Sequence, residues 1–242
     1  MAEKPSNTEA RKAQRIIALI LFFSLLISII YIIVKVFLAP ASIAPGSDDQ
    51  RNKGDYVLML LQCILGLIVM MLPWFIERKF KLQIPSMMNI MFLIFLFCAV
   101  YLGEVQAFYY KVAHWDDILH CFSGGMLGAL GFSVISLLNN NEQISLQLSP
   151  KFVAIFAFCF ALTLGVFWEI YEFTVDGLLS LNMQKFALED GTLLQGRAAL
   201  FDTMKDLIVD AVGAFIICII GYISLKKKKG WIRSFIIRRK KK

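Results

Sequence analysis

Three short runs carry the residues in this chain that could do chemistry. Asp116 and Asp117 precede His120 by four and three residues, Glu169, Glu172 and Asp176 follow a three-then-four spacing, and Asp202, Asp206 and Asp210 recur at every fourth position. Residues three or four apart share a helix face, so each run presents its polar groups as one stripe. Carboxylates stacked in this way repel each other, and burial adds to the penalty on the charged form. Neutrality then requires a divalent cation, basic side chains such as Lys205, Arg197 and Lys111, or protons held on the carboxylates. An oxygen-rich donor set with one imidazole suits Mg²⁺ or Mn²⁺, and Zn²⁺ as well.

The elements that position these stripes are helices crossing a membrane. The chain has 242 residues, 58% apolar and 18% charged, with a mean hydropathy of +0.68. Soluble domains hold about 45–50% apolar and about 25% charged residues, which excludes that class. Six apolar blocks, roughly 16–38, 56–77, 86–110, 118–138, 152–174 and 204–225, reach the length of about 20 residues that a span needs. The expected fold is all-α: a polytopic integral membrane protein with six transmembrane helices in one domain, residues 1–225, followed by a basic amphipathic tail, residues 226–242. The first block exceeds a signal-peptide core of about 7–15 residues and is read as the first span. Ser149-Pro150 has the form of an N-cap and first-turn proline opening the fifth span, and Pro40, Pro45 and Gly46 close the first. Gly124 and Gly128 form a GxxxG pair that allows close helix approach, with packing as its plainer role and a homo-oligomer left open.

Charge distribution sets the expected orientation. Ten of the 25 Lys and Arg residues lie in the acid-free stretch from Lys226 to Lys242, so the net charge of +7 belongs to one end and does not indicate nucleic acid. The N-terminus, the loop with Arg78, Lys79 and Lys81, Lys151 and the tail gather 18 basic residues against four acids (Glu3, Glu9, Glu77, Glu142). Both termini are therefore expected to be cytoplasmic, with the acidic residues toward the outer leaflet. Trp231, Ile232, Phe235 and Ile236 against basic neighbours suggest a tail lying on anionic lipid, and enforcement of topology alone would also explain its charge. Membrane lipids are thus the expected partners. Cys63, Cys98, Cys121, Cys159 and Cys218 sit in apolar blocks without a CxxC pair and are read as small buried hydrophobes.

Depth along each span brings the acids together. Glu104 is 18 residues from Ser86, His120 is 19 from Asn139, Glu169 is 18 from Lys151 and Asp206 is 19 from Leu225, all about 27–28 Å along a helix. Ionisable residues inside spans are costly and usually functional. A plain interfacial role covers Asp202, Asp116, Asp176, Asp48 and Asp49. It fails for Asp210, two turns inside, and it strains at Glu169, which lies at the wrong pole of its helix. His114, Tyr109, Tyr110, Trp115, Trp168 and Tyr171 fit an aromatic and polar belt. The candidate metal ligands are His120, Glu169, Asp206 and Asp210. His120, Glu169, Glu172 and Asp206 are the candidate catalytic groups, and Asp117, Arg197, Asp202 and Glu104 the candidate substrate contacts. The stretch from Asp176 to Phe201 is long for a loop and reads as a lid, with Arg197 suited to clamp a phosphate or carboxylate.

The runs DDILHCFSGGMLGALGF, GVFWEIYEF and GRAALFDTMKDLIVDAVGAF, in this order, resemble the YjdF-like bacterial inner-membrane proteins and, more loosely, the VanZ-like family. The resemblance covers about residues 100–221 and implies polar positions at Asp117, His120, Glu169, Glu172, Asp202, Asp206 and Asp210. It implies a multi-pass protein of the bacterial plasma membrane; VanZ-like proteins are associated with glycopeptide resistance. Asp210 stands where the VanZ-like pattern has asparagine, which adds charge and favours a cation over a hydrogen bond. Two functions remain in view. One is metal-dependent chemistry on an envelope lipid or lipid-linked phosphate. The other is non-enzymatic binding of an envelope ligand, or proton- or cation-coupled transport.

Overall fold

A computed structural model describes residues 7–40, 53–139, 148–179, 181–188 and 192–240. Helix α1 spans Asn7–Leu38. The second apolar block splits into α2, Lys53–Val69, and α3, Leu72–Lys79, around a turn at Met70 and Met71, with Pro73 just inside the start of α3. A short strand β1, Leu82–Gln83, leads into α4, Ser86–Leu96, which continues in π-helical form to Val105. After it come α5, Phe108–Lys111, α6, Trp115–Asn139, α7, Pro150–Leu179, and α8, Phe201–Lys226. A 3-10 turn, Trp231–Phe235, and a second strand β2, Arg238–Arg239, close the described chain. Among the described residues, six helices are long and apolar enough to cross a membrane.

The expected third span over 86–110 ends earlier, at Val105. Ala107 takes a left-handed conformation with φ 61° and turns the chain into α5. Counting Phe108, Tyr109 and Tyr110 as apolar carries the block past this break, although Glu104 and Gln106 already interrupt it. At the fifth span the punctuation holds: the Ser149 hydroxyl accepts a hydrogen bond from Phe152 N at 3.2 Å, and Pro150 opens α7. Pro45, Gly46, Asp48 and Asp49 lie outside the described residues.

The helices form two packed groups. Leu21, Leu25 and Ile32 of α1 bury against Met59 and Cys63 of α2 and Leu93 and Leu96 of α4. The second group is α6, α7 and α8, of which α6 and α8 pack most extensively. Small residues set that contact. Gly124 of α6 lies against the backbone of Asp210, and Gly213 of α8 lies against the backbone of Cys121. Gly131 of α6 meets Ala157 of α7 in the same manner. A Cβ at Gly124 or Gly213 would overlap the facing main chain, so the two helices touch at van der Waals distance only because both positions lack one.

The tail folds back across one end of this group. Leu82 pairs with Arg239 and Gln83 with Arg238. The Ser133 hydroxyl contacts the Phe235 carbonyl and accepts Ile237 N at 3.3 Å, and Ile232 and Ile237 are buried. Its apolar residues therefore cover Phe132, Ile135, Val153 and Cys218 of the bundle, although Trp231 remains half exposed. Replacing Gly213 with Val is expected to destabilise the fold by about 1–3 kcal/mol through overpacking. Gly177→Ala, where nothing lies within 4 Å, is expected to leave it unchanged or slightly firmer. Thermal unfolding of the two variants in detergent reads the difference.

Candidate metal centre

His120 stands one turn inside α6, and its two ring nitrogens face different partners. Nε2 lies 3.8 Å from Asp116 Oδ1 and 3.9 Å from Asp206 Oδ2. Nδ1 lies 3.5 Å from Asp210 Oδ2. Ser123 Oγ fixes the other Asp210 oxygen at 3.0 Å and is also 2.9 Å from the His120 carbonyl. Asp210 thus holds the imidazole from behind, and Gly165 of α7 leaves the space for it, since a Cβ there would lie 2.7 Å from Asp210 Oδ2. A carboxylate on one imidazole nitrogen fixes the tautomer that leaves the other free to ligate, an arrangement common behind metal-bound histidines. Donor atoms of Asp116, His120 and Asp206 all lie within 4.8 Å of each other. Three protein ligands of this kind leave positions open for water or substrate.

The surroundings are buried and rich in uncompensated carboxylate. Asp206 is 2% exposed and its Oδ1 has no hydrogen-bond partner; Glu169 is 5% exposed and neither of its oxygens has one. Glu172, one turn further along α7, is buried as well. An unpartnered buried carboxylate costs several kcal/mol in a low-dielectric site, which is the ordinary signature of a missing positive charge or proton.

A strap from residue 181 to 188 brings in one such charge. Its Lys185 ammonium pairs with Asp116 Oδ2 and lies 3.2 Å from Asp202 Oδ1. Burial alone would lower the pKa of this ammonium, but Asp116 and then Asp202 outweigh burial and hold it above the ordinary lysine value. Asp176, near the end of α7, anchors the strap by accepting Met183 N at 2.8 Å and Gln184 N at 3.0 Å. Asn182 closes the turn onto Ala187 through both its amide groups, and the Gln184 amide donates to Thr203 of α8 at 2.8 Å. Lys185 itself has φ 49°, an uncommon left-handed conformation for a residue with a side chain, sustained by the ion pairs at its tip.

Of the residues singled out in the sequence, His120, Glu169, Glu172, Asp202, Asp206 and Asp210 come together here. Asp117 turns away from His120, binding Lys205 Nζ at 2.6 Å and His114 Nδ1 at 2.8 Å. Glu104 accepts a hydrogen bond from Gln62 of α2 at 3.0 Å, and it acts on the Tyr109 phenol as Asp116, Glu172 and Asp206 also do. Arg197 is exposed, with no ion pair among the described residues, and Lys111 bonds to the Gln106 carbonyl at 3.3 Å. The cations that enter the cluster are therefore Lys185 and Lys205, not Arg197 or Lys111. Asp210 supports the ring instead of joining the near donor set, and Asp116 takes that place. Asp116, expected in a plain interfacial role, carries the signal of its i,i+4 spacing to His120. Lys185 carries no spacing signal, because its partners are 69 and 17 residues away, and Ser123, although three residues from His120, has its Asp210 partner 87 residues away. Tyr109, read as belt, packs on Gly103. Burial first, then the Glu104, Asp116, Glu172 and Asp206 carboxylates, keep its phenol protonated well above the usual tyrosine range.

The sequence matches the family described as "Predicted membrane protein (DUF2238)" over residues 13–227. The chain belongs to that family. A relative in Thermotoga maritima, described as an uncharacterized protein, is 28% identical over 159 residues, covering 65% of this chain and 72% of its own length. No solved structure matches the chain. The matched segment contains all six helices that meet the length and apolarity of a span except the first residues of α1 and includes every member of the cluster. Asp176→Ala is expected to release the strap, at a cost of about 1–3 kcal/mol for two orphaned amides. Hydrogen exchange should then accelerate at Met183 and Gln184 and remain unchanged in α2.

Proposed function

We propose that this DUF2238 protein is a YjdF-like protein of the bacterial plasma membrane that binds a divalent cation, Mg²⁺, Mn²⁺ or Zn²⁺, through Asp116, His120 and Asp206. The cation serves chemistry on an envelope lipid or lipid-linked phosphate. The observation that carries this reading is the orientation of His120: Nδ1 is engaged by Asp210, while Nε2 faces two carboxylates at 3.8 and 3.9 Å. Such a cation would polarise a phosphoryl or acyl oxygen and make bound water nucleophilic near neutral pH. The protein's own part is to hold the ligands, to keep lipid tails and bulk water out, and to supply Glu169 or Glu172 to take a proton from an attacking water. Asp202 and Lys185 at the mouth are the groups that a polar headgroup would meet first. The preponderance of basic residues at the opposite end supports a site at the outer leaflet with both termini cytoplasmic.

Cation- or proton-coupled transport is the second reading, favoured by the two unpartnered oxygens of Glu169 deep in α7. Against it, Asp116 and Asp202 lie in the first turns of their helices, whereas transporter sites usually lie near the bilayer midplane. Elemental analysis of the purified protein is expected to show a stoichiometric divalent ion, lost in Asp206→Ala and His120→Ala and kept in Arg197→Ala. Absence of metal from the wild type, or its retention in Asp206→Ala, would falsify the metal reading. Cation flux into proteoliposomes, abolished in Asp210→Asn, would put transport first.

A further inference from the structure

The end of the helices remote from His120 carries a different arrangement. Arg78 and Lys79 end α3 and Lys81 follows it, and eight more basic residues lie between Lys226 and Lys240, all exposed. Glu77, next to Arg78 in α3, is occupied in accepting Ile84 N at 2.7 Å. These charges are not spread along a loose tail. Pairing of β1 with β2 and the bond from Lys240 N to the Lys81 carbonyl at 2.8 Å bring both clusters onto one plate. Buried Ile232 and Ile237 and the Ser133 contacts pin that plate to the bundle.

Pinning has an electrostatic consequence. Like charges brought together across paired strands destabilise the pairing, and a two-stranded ribbon of this length is marginal by itself. Lys81, Arg238, Arg239 and Lys240 are nevertheless held side by side, with no ion pair to a carboxylate among the described residues. An orientation rule requires only that positive charge lie on this side of the membrane, and a disordered tail would satisfy it. Water and salt screen part of this repulsion, and fixed negative charge opposite the folded plate would relieve the rest.

The aromatic residues show where this plate lies. Lys229 sits over the Trp231 ring at 4.6 Å, Arg78 over Trp74 at 4.9 Å and Lys226 over Tyr222 at 5.5 Å. Trp and Tyr paired with long basic side chains at span ends mark the headgroup level, where the stems lie along apolar surface and the charges reach outward. We propose that this plate is a docking surface for anionic phospholipid headgroups of the membrane the helices span, and that the bound lipid holds the tail closed on the bundle. Clustered Lys and Arg residues next to a span have the charge complementarity for such headgroups. The inference is independent of any metal at His120.

The full chain reconstituted in nanodiscs of phosphatidylcholine, with and without phosphatidylglycerol, tests it. Hydrogen exchange at Ile236–Lys240 is expected to slow about tenfold when phosphatidylglycerol is present. Arg238→Gln, Arg239→Gln and Lys240→Gln together should remove that protection, while Arg238→Lys with Arg239→Lys should keep it. Equal exchange in both lipid mixtures would overturn the proposal, as would protection that survives in the triple glutamine variant. Equal protection by inorganic phosphate or a soluble polyanion in pure phosphatidylcholine would overturn it in favour of a free anion. Exchange in α6 serves as the folding control for every variant.

Discussion

The contact of one imidazole with carboxylates from two helices requires three backbones to converge, and glycine at positions 124, 165 and 213 permits the convergence. Gly124 and Gly213 let α6 and α8 meet main chain to main chain, which places Asp206 and Asp210 beside His120. Gly165 opens α7 to receive the Asp210 carboxylate. Without these approaches, the acids of α8 would sit too far from the ring to hold it, and the strap would have no Asp116 and Asp202 pair to bridge. The small residues and the charged ones therefore form one design: the former exist at these depths so that the latter can meet.

Charge balance then shapes what surrounds that contact. Asp116, Glu169, Glu172, Asp202, Asp206 and Asp210 outnumber His120 and Lys185, and Asp117 is already matched by Lys205 and His114. Charges taken out of water without partners are expensive. Lys185 relieves part of the excess from outside, across a strap fixed by Asp176, and the unpartnered oxygens of Asp206 and Glu169 mark the part that remains. A divalent cation, protons or both complete the balance.

Much of this was legible in the sequence because membrane spans and helical periodicity are local signals. Six apolar blocks gave six helices, and Ser149-Pro150 opened α7. The i,i+4 rhythm of Asp202, Asp206 and Asp210 put an acidic stripe on α8, although the stripe divides its tasks between the mouth, the donor set and the support of His120. Glu104 has Gln62 of α2 as its hydrogen-bond partner, which depth along the span does not reveal, since depth fixes height and leaves rotation about the helix axis free. The turn at Ala107 was missed because Phe108, Tyr109 and Tyr110 after it were counted into the apolar block. Lys185 was invisible for a different reason: a loop lysine acquires its role from backbone bonds to Asp176, and no periodicity records them.

The order of these elements along the chain bears on biogenesis. His120 enters with α6, Glu169 and Glu172 with α7, Lys185 with the strap, and Asp206 and Asp210 only with α8, the last of the spanning helices. Until α8 has been inserted, the imidazole lacks both of its α8 carboxylates and the strap has only Asp116 to hold. Each charged helix must therefore tolerate residence in the bilayer or the insertion machinery for a time with its polar stripe unmatched. A nascent chain arrested before α8 would carry exposed intramembrane acids, and quality-control proteases that recognise such defects would have a clear mark by which to tell unfinished molecules from complete ones.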